Sequence, residues 1–185
     1  MNTPTHIVCG ACLAQALALS LSRARHSKVH ILAVAAGALC AGILSHLLVD
    51  LLPHYNWIVY LPWATGLPFH WLIREAVFSL AVAIPAFILA RGLRPYVAIG
   101  MLGAIYPDVE KVLSFDFHVP DRFILFDWHS TRFSNRTAGL PNAILIGIEC
   151  LLIAASLLAM WRMRRAATNK GADASASAGE DRVRL

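Results

Sequence analysis

Apolar residues run along this chain in long unbroken stretches, without the one-sided stripe of a helix resting on a soluble core. Residues 29–52, 72–90 and 141–161 each come close to the roughly 20 apolar residues that a membrane-spanning helix needs, and residues 96–107 with their flanks approach it. A shorter run, 6–22, precedes them. The pattern predicts an all-α fold, a polytopic transmembrane helical bundle of about five membrane segments over residues 1–165. From Ala166 the chain turns to Ala, Ser, Gly and charge, so 166–185 reads as a disordered tail with no apolar face to dock. Composition sharpens the class. With 58% hydrophobic and 15% charged residues and a mean hydropathy of +0.60, a chain of 185 residues cannot hide its apolar surface in its own core, and lipid must solvate much of it.

The polar positions between the runs give an orientation. Short loops rich in Lys and Arg stay cytoplasmic, and three clusters qualify: Arg23/Arg25/Lys28, Arg91/Arg94 and Arg162/Arg164/Arg165. Placing all three inside requires five crossings, with the N-terminus outside and the C-terminus in the cytoplasm. The loops 53–71 and 108–140 then face outward, and they carry Tyr55, Trp57, Tyr60, Trp63, Trp71 and Trp128, rings suited to the headgroup level. The fourth segment is the weak one, because Pro107, Asp108, Glu110 and Lys111 interrupt it, and it either spans by tilting or is re-entrant. The first run has no basic residue before it, the wrong polarity for a secretion signal, and is read as a retained helix. The net charge of +5 needs only the inner loops and tail to explain it, and nothing else points to nucleic acid. Cys9, Cys12, Cys40 and Cys150 all lie in apolar runs, where a thiol behaves as a small hydrophobe. The Cys9-x-x-Cys12 pair lacks a thioredoxin-like context.

Ionisable residues at membrane depth are costly, so each is a candidate for function. His46, Asp50 and His54 fall at i, i+4 and i+8, which stacks them on one helical face. The five-crossing topology brings that face to the outer side, together with His6, the group around Asp108 and Glu110, and the loop histidines His118 and His129. Neutral imidazoles with carboxylates are the ligand set of zinc, and of manganese or iron where oxygen ligands dominate. His6, His46, Asp50, His54, Asp108 and His129 are therefore the candidate metal ligands, with Glu110 or Asp108 left for proton transfer. Plainer roles stand beside these. His30, His70 and His118 suit a headgroup interface, His26 a loop, and Arg132 and Arg136 a solvated surface. Glu149 reads as a carboxylate paired inside the bundle, and Asp108 as a cap after Pro107. His46 and Asp50 read equally as a hydrogen-bonded pair that holds two helices together.

The stretch Gly42-Ile43-Leu44-Ser45-His46-Leu47-Leu48-Val49-Asp50 resembles a Gly-x-Leu-Ser-His-Leu-Leu-x-Asp helix of the bacterial membrane-bound metal-dependent hydrolases, and Thr5-His6 and Pro107-Asp108 resemble that family's early His and its Pro-Asp group. The likeness touches most of the chain through short motifs. Glu110 stands where the family has a second Asp, Trp128-His129-Ser130 matches only part of a two-histidine segment, and the His46 helix precedes the Pro-Asp group instead of following it. The resemblance implies a metal-dependent hydrolase of a bacterial membrane and no particular substrate; with the site at the outer face of the inner membrane, the expectation is a divalent metal, zinc first, and a lipid-linked or phosphorylated substrate that reaches it from the bilayer. The rival expectation is a non-enzymatic scaffold or small transporter subunit whose His and Asp residues pair structurally. No internal repeat supports the transporter version.

Overall fold

The computed structural model describes residues 3–21, 27–53, 70–115, 117–120, 124–126 and 140–183. They form five helices and, among the described residues, no strand: α1 (Thr3–Leu21), α2 (Lys28–Val49), α3 (His70–Leu89), α4 (Arg94–Phe115) and α5 (Asn142–Val183). The all-α expectation holds. Among the described residues, three helices are long and apolar enough to cross a membrane, namely α1, α2 and the Asn142–Asn169 part of α5, as expected of a helical membrane protein. The count of five crossings is corrected to three helices that meet those criteria. In α3 the described apolar helix is the shorter stretch Ala76–Leu89, and α4 carries Asp108, Glu110 and Lys111 within its length.

The short first run proves to be the centre of the bundle. Thr5, His6, Ile7 and Val8 are consecutive and all buried, so the first turns of α1 are covered on every side, and the helix packs against each of the other four. Turns covered all round have no reason to be amphipathic, which is why their sequence shows no polar face. Outward, Leu32, Leu44, Leu80, Ile84, Leu102 and Leu151 are exposed, as side chains solvated by lipid would be.

Close packing of α1, α2 and α4 rests on glycine. A Cβ built on Gly42 would overlap the carbonyl oxygen of Gly100, and one on Gly100 would overlap the side chain of Ala14. Any side chain there would push two backbones apart, and small residues that admit such contact are the usual glue of membrane helices. On the other side α1 meets α3 and α5 through larger apolar groups, with Val8, Ala11, Ala86, Ala90, Val97 and Met160 as the buried core.

Ser27 caps α2, its hydroxyl accepting from the His30 amide at 3.1 Å. Gly92, at φ 86°, makes the tight turn from α3 to α4, a left-handed conformation that glycine adopts without cost. Helix α4 runs through Pro107 without breaking, and the proline ring is buried inside the bundle, among neighbouring helices that shield the freed backbone groups. Helix α5 continues past Ala166 to Val183, and the alanines that offer no packing face are the best helix formers there are. At about 1.5 Å per residue, its 42 residues reach roughly 60 Å, twice a ~30 Å hydrocarbon core.

Candidate metal centre

Three helices each place a small residue at the close contact and a polar one a single turn away on the same face: Gly10 and His6 on α1, Gly42 and His46 on α2, Ala104 and Asp108 on α4. The spacing of four residues in all three is what lets one contact position the other. A Cβ on Gly10 would come within 2.6 Å of the Ala104 Cβ and 2.8 Å of the Gly100 carbonyl oxygen, so the helices already touch where the polar groups begin. One turn further along, His6, His46, Asp50 and Asp108 converge, with exposures of 2%, 0%, 6% and 3% that leave bulk water no part in their solvation.

Asp50 lies between the two imidazoles. Its Oδ1 is 3.1 Å from His6 Nε2 and its Oδ2 3.2 Å from His46 Nε2. The rings stack, centroids 3.9 Å apart and planes 21° from parallel, so their Nε2 edges present to the carboxylate side by side. Asp108 approaches from α4, with Oδ1 3.8 Å from His46 Nε2. One ligand atom from each of His6, His46 and Asp108 lies within 4.8 Å of the others, close enough for this group to hold a metal ion.

The opposite edge of His46 fixes its chemistry. Nδ1 is 2.6 Å from the Ala104 carbonyl oxygen, which only accepts, so Nδ1 carries the proton and donates. In a neutral ring Nε2 is then a bare lone pair, and it faces oxygens of two carboxylates. That arrangement repels unless a proton, on the ring or on a carboxyl oxygen, or a metal ion stands between them. A backbone carbonyl on the distal nitrogen is also the usual means of orienting a metal-bound histidine. Asp108 makes the same demand. Its Oδ2 is buried with no hydrogen-bond partner among the described residues, and His6 Nδ1 is in the same position. A carboxylate oxygen out of water and without a donor is among the most expensive groups a bundle can hold.

Of the expected ligands, the structure thus gathers His6, His46, Asp50 and Asp108, while His54 and His129 lie outside the described residues. Glu110 is buried but turned elsewhere. Two residues beyond Asp108 it leaves the helix about 200° further round, and its Oε2 accepts from the Phe126 amide at 2.8 Å, tying α4 to the following segment. It does not join the imidazoles. His118 is exposed at φ 53°, a surface position with no link to the cluster. Glu149 is buried and engaged within the bundle, in keeping with the paired role expected for it. Cys9 and Cys12 are free thiols packed against the core, Cys9 3.5 Å from the Ser156 hydroxyl.

Sequence reasoning missed the backbone of Ala104 and the buried Gln15. The signal for the first was present in Gly100-x-x-Gly103-Ala104, a run of small residues on one face ending a turn before Asp108. Compared with protein-family models, with curated proteins and with solved structures, the chain finds no match in any of the three.

Proposed function

We propose that His6, His46, Asp50 and Asp108 form a divalent metal centre, and that the protein is a metal-dependent hydrolase of the bacterial inner membrane acting on a lipid-linked or phosphorylated substrate. The observation that carries the metal reading is the bare Nε2 of His46 against two carboxylates, with the orphaned oxygen of Asp108 beside it. Two nitrogens with carboxylate oxygens favour zinc, with manganese or iron as the alternatives. His6, His46 and Asp108 would hold the ion. A bound divalent cation supplies Lewis acidity, polarising an ester or phosphoryl oxygen. Asp50, with an oxygen 3.1 Å from Nε2 of His6 and another 3.2 Å from Nε2 of His46, is the carboxylate placed to take a proton, the role that Glu110 leaves open.

The second reading is a scaffold in which Asp50 simply ties α1 to α2. The 3.1 and 3.2 Å contacts favour it, being hydrogen-bond distances that need no ion. It requires a proton between His46 Nε2 and a carboxyl oxygen, carried by the ring as an imidazolium or by the carboxyl as a neutral acid. Metal analysis of detergent-purified protein, with His46→Ala and Asp50→Ala beside it, separates the two. One zinc, manganese or iron per chain, lost in both variants, supports the centre. A metal-free protein of unchanged fold supports the scaffold. Chelator-sensitive release of product from chromogenic phosphate or carboxylate esters would then test the hydrolase itself.

A further inference from the structure

A second polar feature lies on the opposite side of α1 and toward its other end. Gln15 is nine residues beyond His6, about 13 Å along the helix and half a turn round it, and is 1% exposed. Its Nε2 donates to the Met160 carbonyl at 3.1 Å, pinning α1 to α5, while its Oε1 has no partner among the described residues. Beside it opens a cavity of about 500 Å³ between the end of α1, the α3–α4 turn and α5.

The charge around this cavity is one-sided. Arg91 and Arg164 line it, and no Asp or Glu does. Neither guanidinium has an acidic partner among the described residues. The neighbouring arginines are already occupied: Arg94 lies over the Phe87 ring at 5.4 Å and Arg165 over Trp161 at 4.6 Å. Two guanidiniums lining one cavity, without an acidic partner among the described residues, form a site for an oxyanion, since each offers a planar fork of donors to phosphate. The orphaned Gln15 oxygen adds an acceptor for a hydroxyl or ammonium on the same ligand. The rest of the wall is apolar, with Leu19, Leu89 and Leu93. Trp161 and Leu21, at the same end of the bundle, are 40% and 38% exposed, an aromatic and aliphatic rim of the kind found at a membrane interface.

From this combination we infer that the cavity binds the head group of an anionic phospholipid, with the phosphate between Arg91 and Arg164, a head-group hydroxyl or ammonium on Gln15, and the acyl chains along the leucines. Free inorganic phosphate shares the charge chemistry but would leave the apolar wall and the acceptor unused. Basic pockets between membrane helices hold lipid phosphates in this manner. The inference is independent of the metal centre, which lies at the other end of α1.

The test uses the full chain in detergent and native mass spectrometry, titrating phosphatidylglycerol, phosphatidylcholine and inorganic phosphate separately. Phosphatidylglycerol is expected to bind at least tenfold more tightly than phosphatidylcholine, and millimolar phosphate is expected not to displace it. The Arg91→Gln/Arg164→Gln variant should lose that preference, while Arg94→Gln/Arg165→Gln, with the same net charge, keeps it. Should the double variant fail to fold, Arg91→Gln alone, at an exposed position, is expected to weaken binding about fivefold. Equal losses in both double variants would reduce the effect to bulk charge and overturn the site. Displacement by phosphate, or no preference over phosphatidylcholine, would overturn the lipid as its occupant.

Discussion

The two sides of α1 are built on different principles. Toward α2 and α4 the backbones nearly touch, glycine against carbonyl, and the polar groups beyond are held to hydrogen-bond distances. Toward α3 and α5 the contacts run through valine, methionine and alanine, and cavities remain, one of them beside Gln15. Where backbones meet, position is set to a few tenths of an ångström, because there is no flexible side chain to yield. Where side chains meet, rotamers absorb error. A metal centre needs the first kind of packing, and a site for a lipid head group tolerates the second.

The largest effect is expected from breaking the tight side. Gly42→Leu puts a side chain onto the Gly100 carbonyl, so α2 and α4 must separate at a cost of about 3 kcal/mol or more. A lost monodisperse peak on gel filtration, or a folded protein stripped of metal, is the expected outcome. A variant that folds and keeps its metal would show that the glycine contact does not position the imidazoles.

Next comes Asp50→Asn. The amide keeps the shape but replaces an oxygen acceptor with a donor between two rings, and metal content measured by mass spectrometry is expected to fall at least tenfold, in the range known for groups that orient metal ligands. Unchanged metal content would remove Asp50 from the centre and leave His6, His46 and Asp108 to act without it.

On the loose side the same kind of change costs less. Gln15→Leu removes one hydrogen bond to Met160 and also removes an orphaned oxygen, so the two effects offset, and a stability change within about 1 kcal/mol is expected in a thermal melt. A loss as large as that of Gly42→Leu would erase the contrast between the two sides. The smallest effect has the opposite sign. A Cβ on Gly147 of α5 meets nothing within 4 Å, so Gly147→Ala should gain up to about 1 kcal/mol of helix propensity and raise the melting temperature. Destabilisation there would reveal a partner surface on α5.

Much of the site was legible because helical spacing is a local rule. His46 and Asp50 share a face by count alone, whereas the meeting of His6 and Asp108 with that face is a finding of the packed helices. Glu110 was misplaced for a matching reason: it lies two residues from Asp108, and a helix sends such neighbours to opposite sides, a consequence visible only once α4 was known to continue through Pro107.

Alone, the sequence determined that the chain is helical with runs long and apolar enough to cross a membrane, and it determined which polar residues stand a turn apart, since the helix period is fixed by the backbone. The tertiary structure decided which helix is central, which backbone carbonyl fixes the proton on His46, and which carboxylate reaches the rings. Those depend on how closely three helices approach. Closeness is a property of pairs of glycines far apart in the chain, and no single segment records it.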